Sequence, residues 1–317
     1  QDGRVNLLTC FDDEVKVELG TPTKESGEAA LKALDRAMTD FRSQLYDVLV
    51  ACPVDNTNMS SDNYSYKNLK EYSETSIGDG AKGVKIMINE SLRIALATDG
   101  LAIKDVPASL TEERLIAKIK ALNTSIKRDF RISNPRIAVL ALNPNANGAE
   151  ENDTIIPAIK KSEEDGINAY GPYAAEEFFG HNLYEAFDCT LAMYDDQANI
   201  PFTTLMQNDG ICYIASLPLV CTAPAMTPDF TNAGSGENDE SALRHAIFTA
   251  IDIVRNRGEY DLPMANPLQK LYHEKRDDSE KVRFAIPKKR EPFNRNEHND
   301  RRPAQRPAQA DNRNGAA

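Results

Sequence analysis

Ser109-Leu110-Thr111-Glu112-Glu113-Arg114-Leu115-Ile116-Ala117-Lys118-Ile119-Lys120-Ala121-Leu122-Asn123-Thr124-Ser125-Ile126 precedes Arg136-Ile137-Ala138-Val139-Leu140-Ala141-Leu142, and this stretch decides the fold. In the first part Leu115, Ile119, Leu122 and Ile126 recur at spacings of three and four, the period of one helix face. Ser109-x-x-Glu112 reads as the capping box that opens this helix. The second part is an uninterrupted apolar run and reads as a strand. The same alternation extends in both directions. Upstream, Leu31, Leu34, Met38, Phe41 and Leu45 mark an amphipathic helix that feeds a buried strand at Tyr46–Ala51. Residues 83–88 and 92–97 read as two strands joined across an Asn89-Glu90 turn. Downstream come a helix over 155–162, a strand over 187–193 with apolar residues at alternate positions, and a last helix from about Asp239. Leu243, Ala246, Ile247, Ala250, Ile251 and Val254 fall on one face of that helix. Repeated helix–strand alternation predicts an α/β fold with a mostly parallel sheet.

Composition narrows the function classes. The chain has 317 residues, 41% of them hydrophobic, with 37 basic and 49 acidic side chains and a net charge of -12. That is enough to bury a sizeable core in one large or two modest domains. No apolar run is long enough to span a bilayer, so no membrane partner is expected. The five cysteines include no C-x-x-C pair, which argues against a zinc ribbon and a disulfide framework and for a reducing, cytoplasmic setting. There are only four histidines from which a histidine-rich metal centre could be built. Residues 284–317 are basic, poor in apolar residues and without period. They read as a disordered tail beyond a 1–283 body, able to reach RNA or another anionic partner.

Specific words now appear in order. Pro135-Arg136-Ile137-Ala138-Val139-Leu140-Ala141-Leu142-Asn143-Pro144 is followed by Ile155-Ile156-Pro157-Ala158-Ile159. Then come Gly166-Ile167-Asn168-Ala169-Tyr170-Gly171-Pro172 and Leu191-Ala192-Met193-Tyr194-Asp195-Asp196-Gln197. This series resembles the 4-hydroxythreonine-4-phosphate dehydrogenase family (PdxA type) from about residue 5 to residue 275. The resemblance implies an isocitrate/isopropylmalate dehydrogenase-like two-domain α/β fold, with subdomains sharing a cleft, here without the family's usual N-terminal segment. It also implies a homodimer, and NAD-dependent oxidation with decarboxylation of a phosphorylated hydroxy amino acid on the route to pyridoxal phosphate. A divalent metal acts there as Lewis acid.

The positions that the resemblance assigns to chemistry are substituted. Where the family carries three metal-binding histidines, this sequence has Gly100, Asn145 and Asp195. Of these, Asp195 can still offer a hard cation a carboxylate. The substrate-gripping His-Thr pair is Leu69-Lys70, and the family's Lys, Asn and Arg positions are Thr203, Cys212 and Cys221. Loss of Lys and Arg removes charge and bidentate grip from a phosphate site. The nucleotide loop keeps only its end, Ala233-Gly234-Ser235-Gly236, which can bring backbone close to NAD. The four histidines present, His181, His245, His273 and His298, fall on none of these positions.

Framework words kept beside substituted functional words predict a fold-retaining relative that has lost the ancestral catalysis, a pseudoenzyme or interaction platform. The alternative is an active oxidoreductase with a remodelled metal and substrate site.

Overall fold

The computed structural model describes residues 3–11, 14–16, 18–55, 66, 68–78, 80–206 and 208–267. The chain separates into Gln1–Pro267 and Leu268–Ala317, and the description concerns the first unit. The basic tail, the body–tail division at 283/284, His273 and His298 lie outside the described residues.

The elements in chain order are α1 (Lys24–Arg42), β1 (Val48–Val50), α2 (Leu69–Ile77), β2 (Val84–Ile88), β3 (Arg93–Leu96), α3 (Val106–Ser109), α4 (Glu112–Phe130) and β4 (Arg136–Leu140). They continue with α5 (Ile156–Glu164), β5 (Asn168–Tyr173), α6 (Ala175–Gly180), β6 (Cys189–Ala192), α7 (Asp195–Leu205), β7 (Ile211–Ala215), β8 (Val220–Pro224) and α8 (Ser241–Ala265). Among the described residues, the strands join one eight-stranded sheet in the order β1-β8-β7-β2-β3-β6-β4-β5. The sheet is mixed rather than mostly parallel. The β3–β6, β6–β4, β4–β5 and β1–β8 pairs are parallel, whereas β8–β7, β7–β2 and β2–β3 are antiparallel. The reason is local: the short Asn89–Leu92 connection makes β2 and β3 a hairpin, and only a crossover can make neighbours parallel. Asn89 Oδ1 accepts the N–H groups of Ser91 and Leu92 and fixes that turn.

Helices cover both sheet faces. Ile86, Ile137, Leu191 and Tyr213 face α4, α5 and α8. Met87, Ile94, Leu140 and Ala192 face α6 and α7, and beside them Ile214 and Cys221 face α1 and α2. Double cover explains why β6 is buried at every position, although the alternation in 187–193 predicts a half-exposed strand.

Three other sequence expectations change. Thr111, not Ser109, caps α4: its Oγ1 accepts the Arg114 N–H, while Ser109 Oγ donates back to the Val106 carbonyl at the end of α3. Leu45 lies beyond the end of α1 and is exposed. On α8 the buried face is Ala242, Ala246, Ala250, Ile253 and Arg257, and Ile247 and Ile251 are exposed. Small alanines let α8 lie close to β8, where Thr222 Oγ1 donates to the Ala246 carbonyl. A buried arginine replaces hydrophobe at the far end of that stripe. Arg257 binds Asp129 Oδ1 (2.7 Å), the Tyr213 hydroxyl and the Leu217 and Pro218 carbonyls.

Candidate active site

In open α/β sheets ligand sites gather outside the carboxyl ends of the strands. The three positions where the resemblance places metal ligands fall there. Gly100 follows β3, Asp195 follows β6 and Asn145 follows β4, and these strands are consecutive neighbours in the sheet. Buried polar side chains hold the strand ends together. Gln197 accepts the Met193 N–H at Oε1 and donates from Nε2 to the Ala141 carbonyl, each at 2.7 Å, so it ties the end of β6 to the end of β4. Thr98 Oγ1 donates to the Met193 carbonyl at 2.6 Å and ties β3 to β6. Glu151, fully buried in a π-helical turn, accepts the backbone N–H groups of Leu142 and Asn143 and the Asn143 side-chain amide. Burial would raise its pKa. The Asn143 side-chain and backbone donors and the Leu142 N–H outweigh burial and hold it below the ordinary value.

At the strand ends, Gly100 and Asp195 meet. The Gly100 N–H donates to Asp195 Oδ2 at 2.8 Å. Gly100 has φ +67°, a left-handed backbone that glycine adopts freely. Asp195 opens α7, and its pKa is raised by burial and by Asp99 and Asp196, against the Gly100 N–H and Lys85, which lower it. Asn145 is an exposed residue of the 144–146 turn, also left-handed at φ 63°. It lines a cavity with Asn143, Glu176, Tyr194 and Gln197.

A second cavity, of about 270 Å³, lies over the sheet face that carries β2, β7 and β8. Its floor is Lys85, Met87, Cys212, Ile214 and Ala223. Register explains the grouping, because Lys85 pairs with Ile214 and Met87 with Cys212 across β2–β7. Leu69 and Lys70 enter from the start of α2, where Asn68 Oδ1 caps the helix through the Glu71 N–H. Thr203 enters from α7. So Leu69, Lys70, Thr203 and Cys212 share one cavity. Cys221 does not line it and is fully buried beside it. Burial pushes the Cys221 thiol up to about 12 and raises Cys212 as well, so neither is a thiolate at neutral pH. Lys70 is neutralised at the rim, 3.3 Å from Asp99 Oδ2 and 3.9 Å from Glu74 Oε1.

Lys85, Asp99 and Lys118 are charged groups of this region that the sequence pattern does not single out as site residues. Lys118 on α4 is pushed down to about 8, first by burial and then by the nearby Lys70 charge. Lys85 had a signal: a lysine inside the strand Val84-Lys85-Ile86-Met87-Ile88 breaks the apolar pattern. The loop positions Ala233, Gly234 and Gly236 lie apart from the cavity lining, in an exposed turn organised by Asp229, whose Oδ1 accepts the Thr231 and Asn232 N–H groups. A Cβ on Gly234 would stand 2.8 Å from Leu19 Cδ1, so the chain's own N-terminal segment packs on that glycine. His181 is exposed, and half-buried His245 contacts the Asp209 carbonyl through Nδ1.

Residues 1–250 match the family model described as pyridoxal phosphate biosynthetic protein PdxA. The chain belongs to the PdxA family. It is 43% identical to the 4-hydroxythreonine-4-phosphate dehydrogenase of Bacteroides thetaiotaomicron over 286 residues, 89% of this chain and 79% of that one. It is 33% identical to the enzyme of the same name from Sulfurihydrogenibium, covering 80% of this chain and 79% of that one. Two solved PdxA-type structures share its fold. The 4-hydroxythreonine-4-phosphate dehydrogenase of Klebsiella pneumoniae has a TM-score of 0.61 at 22% identity, over 74% of this chain and 73% of that one. That of Burkholderia phymatum has a TM-score of 0.60 at 24% identity, over 77% and 74%. Among the described residues no helix is long and apolar enough to cross a membrane.

Proposed function

We propose that this PdxA-family chain has lost the metal-dependent oxidation and keeps its cavity as a binding site. The observation that supports this most is the Gly100–Asp195 pair. Of the three positions that would hold the metal, one has no side chain and points an N–H into the site, and the one carboxylate accepts that N–H. A backbone N–H repels a cation where a ligand atom should stand. Among the described residues no group of three His, Cys, Asp or Glu side chains could hold a metal ion. The residues present therefore do not fit a resident divalent metal. NAD binding is also weakened in this reading, because Leu19 occupies the approach to Gly234. What remains is a homodimeric pseudoenzyme that binds small molecules and serves as an interaction platform.

The persistence of an open cavity favours one competing reading, an oxidoreductase remodelled around a different substrate. Thermal unfolding separates the two, since a ligand that binds only the native state raises its apparent stability. The melting temperature should not move with Mg²⁺, Zn²⁺ or NAD. A rise with metal or NAD supports the remodelled enzyme and contradicts the loss.

A further inference from the structure

The cavity carries one charge that the fold does not use. Lys85 sits on β2, an interior strand of the sheet, with every other residue of that strand buried and apolar. Charged side chains are rarely placed on such a face without a partner. Among the described residues Lys85 has neither an ion pair nor a hydrogen bond, whereas Lys70 at the rim is engaged by Asp99 and Glu74. No carboxylate is found among the described residues lining the cavity. The field of Lys85 reaches Asp195 and Cys212, but among the described residues neither forms an ion pair or hydrogen bond with it, and Cys212 remains a thiol.

We infer that the cavity over β2 and β7 binds a small carboxylate with an apolar body, its carboxylate paired with Lys85. The inference rests on the proposed loss of the ancestral site and specifies what replaced it. Size, polarity and charge each contribute. About 270 Å³ suits a small organic acid. Met87, Phe202, Ile214 and Met226 offer an apolar lining for the body of such a ligand. One lysine without an ion pair among the described residues balances a single negative charge. A phosphate dianion would need a second free cation, and Lys70 is not free. Thr203, Thr227 and Asn199 supply hydrogen-bonding groups for the remaining lone pairs.

The test uses the full chain with hexanoate, the isosteric neutral hexanamide and inorganic phosphate, followed by calorimetry. Hexanoate should bind and raise the melting temperature, with hexanamide at least about tenfold weaker, the usual worth of one charge-assisted contact. Lys85→Met should weaken hexanoate by at least about tenfold without lowering the melting temperature of the free protein, because it removes an unpaired charge. Lys85→Arg should retain binding. Hexanoate affinity unchanged in Lys85→Met would overturn the inference. So would phosphate binding at Lys85 more tightly than hexanoate, or no hexanoate binding to the wild type. Assaying the same preparations for NAD-dependent oxidation of phosphorylated hydroxythreonine keeps the two readings separate. Turnover defeats the proposed loss of catalysis whatever hexanoate does. Absent turnover with no hexanoate binding defeats only the ligand class.

Discussion

Replacing Arg257 with Met should cost the protein about 3–5 kcal/mol, the usual penalty for stranding the partner of a buried ion pair. The magnitude follows from what Arg257 holds. The side chain is 8% exposed and its partner Asp129 only 2%. Its Nε donates to Asp129 Oδ1 at 2.7 Å, and its Nη2 donates to the Tyr213 hydroxyl at 2.8 Å. Tyr213 in turn donates to Asp129 Oδ2 at 2.6 Å. Burial, then the Asp129 charge, keep that phenol protonated far beyond its ordinary range. Without Arg257, Asp129 keeps one donor and loses its counter-charge, and the Leu217 and Pro218 carbonyls lose theirs. The network joins α4, β7 and α8, so the loss should be global and appear in the denaturant midpoint with an unchanged m value. Adding Asp129→Asn to the variant removes the stranded charge and should recover a large part of the loss, a coupling that a double-mutant cycle measures. A single-variant loss below about 1 kcal/mol, or strict additivity of the two changes, would refute the assignment of this triad as the anchor of α8.

Two further outcomes depend on pH. Glu151→Gln should cost about 1–3 kcal/mol at neutral pH, because its carboxylate satisfies three donors of the Asn143 loop. Its folded-state pKa lies below the unfolded value, so the stabilisation is present above the usual carboxylate pKa and fades as pH falls through the folded value. Urea curves for wild type and variant should therefore converge in acid, and a constant gap would contradict this. Lys118 has the opposite arrangement for a base. Its pKa near 8, below the ordinary 10.5, means that the folded state resists its charge. The unfolded chain then binds more protons between about 8 and 10.5, so stability rises with pH across that window. Lys118→Met should be more stable than wild type at pH 7, with the advantage shrinking toward pH 10.5, and equal stability at pH 7 would remove the burial argument.

Much of the fold was legible because burial writes periodicity into sequence. The face of α4 with Leu115, Ile119, Leu122 and Ile126 is fully buried, as the spacing requires. Sheet direction was not legible: whether β2 and β7 run antiparallel depends on connections that periodicity does not encode. The α8 stripe misled for a related reason, since close packing on β8 selects alanine and leaves Ile247 and Ile251 outside. At the site, the retained words Asn143 and Gln197 are tied into the fold's own hydrogen bonds. Half of the eight substituted positions, Leu69, Lys70, Thr203 and Cys212, face the cavity. Lys85 escaped the reading because a single lysine in a strand carries no distance information. Only the register with Ile214, two residues from Cys212, shows where it stands.

The central claim is that the framework persists while the ancestral reaction does not. Its direct test is NADH formation by the purified chain with NAD, a divalent metal and phosphorylated hydroxythreonine. The account predicts a rate indistinguishable from the protein-free control. Turnover within about tenfold of the Bacteroides thetaiotaomicron relative, equivalent to about 1.4 kcal/mol or less of lost transition-state stabilisation, would contradict it.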